Sequence, residues 1–153
     1  MTTLTDIESL VRMLLGDYSH NMVPGDIFIY ENSAVFTLTE SNPIAIIAVL
    51  KNNSPLNAGQ YSFSATTNKV TITASLVSGD TVEIQYSYYP NYSSTEIQSY
   101  VQASFVHLST NHFGDFSIAS GSVITPDTTI QENNVIALVS ATLIEPDNKS
   151  YRL

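Results

Sequence analysis

Three histidines, His20, His107 and His112, are the side chains in this 153-residue chain best suited to hold a metal or move a proton near neutral pH. Two histidines on one helix share a metal at a spacing of about four. His107 and His112 are five apart, and His112 is expected past a helix end. Asp115 lies close in sequence, yet three groups of this kind converge weakly. The favoured reading is that His107 flanks an apolar stripe and His112 sits in a solvated loop. Serine chemistry finds no support either, because Ser120 and Ser122 in "SIASGSVI" lack the G-x-S-x-G elbow. Paired carboxylates could do acid–base work, but Glu40 and Glu83 stand singly on expected strand surfaces. Asp6, Glu8, Glu96 and Glu132 are better used at helix N-termini, where they favour the helix dipole. The six glycines are scattered, so no phosphate loop is expected. No cysteine is present, which removes disulfides, thiolate chemistry and cysteine-based zinc sites. No catalytic, cofactor-binding or metal-binding residues are expected, and the chain reads as a non-enzyme.

Tyr86, Tyr88, Tyr89, Tyr92 and Tyr100 are the strongest binding signal. They could form a stacking platform for sugars or bases. Cationic groups do not accompany them. The spacing favours Tyr86 and Tyr88 on the inner face of a hairpin, Tyr100 in a helix stripe, and Tyr89 and Tyr92 at the corner between sheet and helix.

The elements that must position these residues are marked by caps and periodicity. Thr5 with Glu8 reads as a capping box, followed by Ile7, Leu10, Val11 and Leu14 at helical spacing and a stop at Gly16. Ser93 with Glu96 opens a second helix with the stripe Ile97, Tyr100, Val101, Phe105 and Leu108. Thr129 with Glu132 opens a third, ended by Pro146. Val135, Ile136, Leu138, Val139, Leu143 and Ile144 leave that helix little polar face, so it is expected to be buried or pressed against a neighbouring subunit. Ile136, Val139 and Leu143 are the candidate subunit interface. Strands are expected near 27–30, 34–39, 44–50, 61–64, 69–75 and 81–89, the last two paired as a half-solvated hairpin. The fold class is therefore α+β: a helical core of residues 1–18 plus 91–153, with an antiparallel β module of residues 19–90 inserted between the first two helices. The segment 111–127 is long and rich in Gly, Ser and Thr, and is expected to be ordered only by partners.

Composition sets the class of partner. Hydrophobic residues make up 43 % of the chain, enough for a core, and charged residues only 12 %, about half the usual share. The formal net charge is −9, and the five basic residues lie far apart, so no phosphate-binding patch forms. Such a surface lets nucleic acid pass without sticking. No apolar run approaches bilayer length, and Asp6 and Glu8 ahead of the first apolar patch argue against a secretory signal. The segment "EPDNKSYRL" reads either as a frayed tail or as a docking arm. In the second case Tyr151 and Leu153 are apolar anchors, while Lys149 and Arg152 seek acidic groups.

Several segments together resemble a known family. "DIESLVRMLLGD" resembles the first helix of head–tail connector (adaptor) proteins of tailed bacteriophages, and "YSSTEIQSYVQASFVHLS" their next helix. "ENNVIALVSATLIEPDNKSYRL" resembles their later helix and tail. The stretch from "FTLTESNPIAIIAVLKNN" to "DTVEIQYSYY" resembles small β modules of phage neck, tail and fibre proteins. Adaptors are mainly helical, whereas here a large β lobe replaces a short link. The resemblance implies a structural virion protein forming a homo-oligomeric, dodecameric ring. It would dock on the portal protein, carry the tail or the next neck protein, and let DNA through its lumen without specific binding. It implies assembly in the host bacterial cytoplasm and residence in the virion neck, with no membrane partner. The competing reading from the tyrosines and the β module is a receptor- or glycan-binding module of a tail fibre or baseplate.

Overall fold

The computed structural model describes residues 1–148, which form an α+β protein of three helices and antiparallel sheets. Two compact units divide the chain: residues 1–18 with 92 onward, and residues 19–91.

The helical unit contains α1 (Leu4–Leu15), α2 (Ser94–Thr110) and α3 (Ile130–Ile144). The α2 and α3 boxes form at Ser93/Glu96 and Thr129/Glu132, as their spacing predicts. On α1 the box is Thr3 with Asp6, two residues earlier than expected: Asp6 N–H donates to Thr3 Oγ1 at 3.3 Å, and Thr3 N–H donates to Asp6 Oδ2 at 2.7 Å. The Glu8 carboxylate is instead held by Arg12 one turn on. Gly16, at φ 69°, ends the helix in the left-handed conformation that glycine adopts without Cβ strain. Ile7, Val11, Ile97, Val101 and Ile136 are fully buried at the centre of the unit. Small residues let the helices approach closely: Ala137, Ala141, Ser104 and Ser140 are buried. Each of those serine hydroxyls donates to its own helix backbone, to Val101 O and Ile136 O respectively, at 2.7 Å.

The segment 111–127 is ordered by its own chain, contrary to expectation. It folds into β8 (Ser117–Ile118) and β9 (Ile124–Thr125), paired antiparallel. Ile124 is buried in the helical core, its N–H donates to Thr2 O at 2.9 Å, and Phe116 packs on Phe105 with ring centres 5.8 Å apart. A few apolar anchors outweigh the loop-like composition around them.

The β unit contains β1 (His20–Ile29), β2 (Val35–Thr37), β3 (Pro43–Lys51), β4 (Ser54–Pro55), β5 (Tyr61–Ser64), β6 (Lys69–Ile72) and β7 (Thr81–Tyr88). A four-stranded sheet runs β1-β7-β3-β4 and a three-stranded sheet β2-β6-β5. Their inner faces share one core of Phe36, Leu38, Val49, Val70, Ile72, Val82, Ile84 and Tyr86. The expected hairpin of 69–75 with 81–89 does not form. β6 is the middle strand of the small sheet, while β7 lies between β1 and β3. Both strands carry an apolar face, and stacking those faces across a core removes more apolar surface from water than edge pairing would.

β1 begins seven residues before its expected start. Pro24 and Gly25 lie in a bulge between the pairs Met22↔Tyr86 and Asp26↔Ile84. β1 is an edge strand of its sheet, so proline is tolerated there. Gly25 is required by close approach, because a Cβ at that position would lie 2.0 Å from the Ile84 carbonyl oxygen.

Candidate functional site

The residues singled out for chemistry are dispersed. His107 is exposed on α2, and His112 lies past the helix end at φ 58°. Asp115 accepts a hydrogen bond from Ser109 Oγ, and no group of three metal-ligating side chains occurs among the described residues. Ser120 and Ser122 lie in a single 3-10 turn. Glu83 accepts from Gln85 Nε2 at 2.8 Å and from Gly25 N–H at 3.1 Å; these bonds, the Gln85 one foremost, hold its carboxyl below the usual range. Its role is to brace the β1 bulge. Capping bonds likewise lower the carboxyls of Asp6, Glu96 and Glu132.

Two of the five tyrosines singled out, Tyr86 and Tyr92, are committed within their own units. Tyr86 is fully buried; its hydroxyl donates to Asp26 Oδ2 at 2.9 Å and accepts from Glu40 N–H at 3.1 Å. Burial first, then the Asp26 carboxylate, raises its pKa from 10.0 to about 12. Tyr92 belongs to the helical unit and its hydroxyl donates to Glu145 Oε1 at 3.0 Å. Tyr100 is 40 % exposed and so lies outside the buried stripe of α2.

Of the candidate subunit interface, Ile136 must be corrected, while Val139 and Leu143 keep part of their surface open. Ile136 is 0 % exposed, enclosed by its own chain, and Val139 packs partly buried on the same core. Leu143 is half-buried. From Val135 to Ile144 the helix is apolar apart from Ser140 and Thr142, which leaves little periodic signal to tell its inner from its outer side. The tail residues Lys149, Tyr151, Arg152 and Leu153 lie outside the described residues.

An open apolar surface lies between α1 and α3. Leu10, Met13 and Leu14 of α1 and Asn134, Ala137 and Leu138 of α3 line a groove of about 440 Å³. Met13 is 57 % and Leu14 40 % exposed. Ile130, one helical turn before Asn134 and 75 % exposed, extends the stripe. None of these groove residues carries a charge. Leu14, expected in the core stripe, faces this groove instead.

Sequence reasoning missed a buried polar network. Arg12 Nε and Nη2 donate to Glu8 Oε1 at 3.0 and 2.8 Å, and Arg12 Nη1 donates to Asp17 Oδ2 at 2.5 Å. All three side chains are buried. The signal was available: Glu8 and Arg12 stand at i, i+4, and Asp17 follows the helix-ending glycine.

No helix among the described residues is long and apolar enough to cross a membrane. Compared with models of protein families and with curated proteins, the chain matches none.

Proposed function

We propose that this chain is a structural protein of a tailed-phage neck, assembling as a homo-oligomeric ring between the portal vertex and the tail, with DNA passing through the lumen. The observation that carries this reading is the open, uncharged groove between α1 and α3, with Met13, Leu14 and Ile130 facing outward. A chain of net charge −9 repels its own copies at a distance. An uncharged apolar patch is where copies meet at the least electrostatic cost, and the groove is such a place. Two of the five basic residues are also committed within the chain: Arg12 to Glu8 and Asp17, and Lys51 to Asp80. That leaves little positive charge to retain DNA in a lumen. In this reading the helical core is adaptor-like and the groove forms the subunit interface.

The test is to image the purified protein by negative stain, alone and mixed with a tailed-phage portal ring. Rings or portal-bound density are expected, and Leu14→Glu abolishes both by placing a carboxylate in the apolar seam. A protein that stays monomeric beside the portal, and is missing from virion necks, counts against the reading. The glycan-binding alternative predicts a glycan-array signal lost in Tyr89→Ala. It is weakened by Tyr86 lying in a core and by Tyr92 being tied to Glu145.

A further inference from the structure

The β unit is inserted in the helical unit, so the chain departs after Tyr18 and returns at Tyr92. Each unit closes its own pair of ends. In the β unit, His20 at the start of β1 pairs with Tyr88 at the end of β7, with ring centres 5.9 Å apart. In the helical unit the Arg12 side chain joins departure to return. Arg12 Nη1 donates both to Asp17 Oδ2 at 2.5 Å and to the Tyr92 carbonyl at 3.1 Å, and Nη2 reaches Ser94 Oγ at 3.4 Å. The other edge of the guanidinium holds Glu8, whose second oxygen accepts from Gln98 Nε2 at 2.8 Å on α2.

We propose that Arg12 is a clasp that closes the helical unit at the insertion point, so that the helical and β units open as separate cooperative bodies. Three observations converge. Arg12, Glu8 and Asp17 are 5, 6 and 0 % exposed, so removing the cation leaves two buried carboxylates without the charge that balances them. The guanidinium's planar fork serves partners on both the departing and the returning chain, which an ammonium on a flexible stem does with less reach and at a greater entropic cost. Finally, the buried residues form two cores, one built from residues of the helical unit and the other from residues of the β unit. A β unit inserted at a clasped neck can loosen or be remodelled without unfolding the three-helix body that carries it.

Native-state hydrogen exchange on the full chain, over a range of sub-denaturing guanidinium, tests this. In the wild type, the amides of Ile97, Val101 and Ile136 are expected to open together. Those of Val82, Ile84 and Tyr86 open together at a different free energy. Arg12→Met speeds exchange in the first set by roughly a hundredfold or more, beginning at Asp17 and at Tyr92 to Ser94, and leaves the second at wild-type rates. Arg12→Lys gives the same pattern with smaller amplitude. Gly25→Ala does the reverse, loosening the β set alone. The idea is overturned if both sets shift together in any of these variants, or if helical protection in Arg12→Met stays within about threefold of wild type. Should Arg12→Met fail to fold, Arg12→Lys and Gly25→Ala still decide: parallel loss overturns the proposal and one-sided loss supports it.

Discussion

The two units place their polar groups in opposite ways. The buried residues Thr2, Glu8, Arg12, Asp17, Ser104 and Ser140, polar or charged, all belong to the helical unit. The β core is apolar except for Tyr86, whose hydroxyl reaches Asp26 and the Glu40 N–H. The β unit organises its other polar bonds outside that core, where Asp80 gathers the Val77 N–H, Asn52 and Lys51. Both units must fix a point where the chain changes direction. The helical unit does so with an ion network removed from water, the β unit with a carboxylate at the rim. The first arrangement is costly to break and specific in geometry. The second is cheap to break and open to titration. Each should therefore fail in its own way.

Arg12→Met separates the two most sharply. It leaves Glu8 and Asp17 buried without their cation, at a cost of about 3–5 kcal/mol, read as a lower denaturant midpoint of the helical transition. The β unit has no equivalent charge to lose, and its weak point is steric. Gly25→Ala forces a methyl group into the Ile84 carbonyl, so the bulge must shift, at about 1–3 kcal/mol. Its signature is faster exchange at the β1 and β7 amides with the helical unit unchanged.

The same contrast governs what could be read from the sequence. The α2 and α3 caps were legible because a capping box is settled within four residues. The α1 box was displaced because "TTLTDIES" offers two overlapping copies, Thr3–Asp6 and Thr5–Glu8, with equal spacing. The choice was made one turn away, where Arg12 takes Glu8. In the β unit, alternation placed Tyr86 on an inner face, where it lies, but did not show which strands pair. Pairing depends on how two apolar faces close a core over long sequence separations. The groove was illegible for a related reason. Helical spacing identified Leu10 and Leu14 as one stripe but could not say which edge of it the other helices would leave uncovered.

Alkaline pH should loosen the β unit through Tyr86. Its pKa in the folded chain is raised from 10.0 to about 12, chiefly by burial. A raised folded pKa means its contribution is fully present below pH 10 and lost as pH rises towards 12. Tyrosinate absorbance should show one phenol titrating late, together with the β-unit unfolding signal. Tyr86→Phe removes that late phenol. If the phenol titrates normally, the hydroxyl is wetter than its bonds to Asp26 and Glu40 imply.

The smallest effect is expected at acid pH, at the rim of the β unit. Asp80 Oδ2 accepts from the Val77 N–H at 2.8 Å and pairs with Lys51 Nζ at 3.0 Å; Oδ1 accepts from Asn52 Nδ2 at 2.7 Å. These interactions, the Val77 bond foremost, pull its pKa down from 3.8 to about 2. A depressed folded pKa means the stabilisation is present above 3.8 and is lost as pH falls through 2. Water and salt reach this group, so the gain is modest and should shrink as ionic strength rises. Asp80→Asn should flatten the acid limb of β-unit stability between pH 4 and 2 while leaving its value at pH 7 only slightly lower. An unchanged acid limb in that variant would move the titrating group elsewhere. It would also remove the contrast between a unit fixed by charge in its interior and one fixed by charge at its rim.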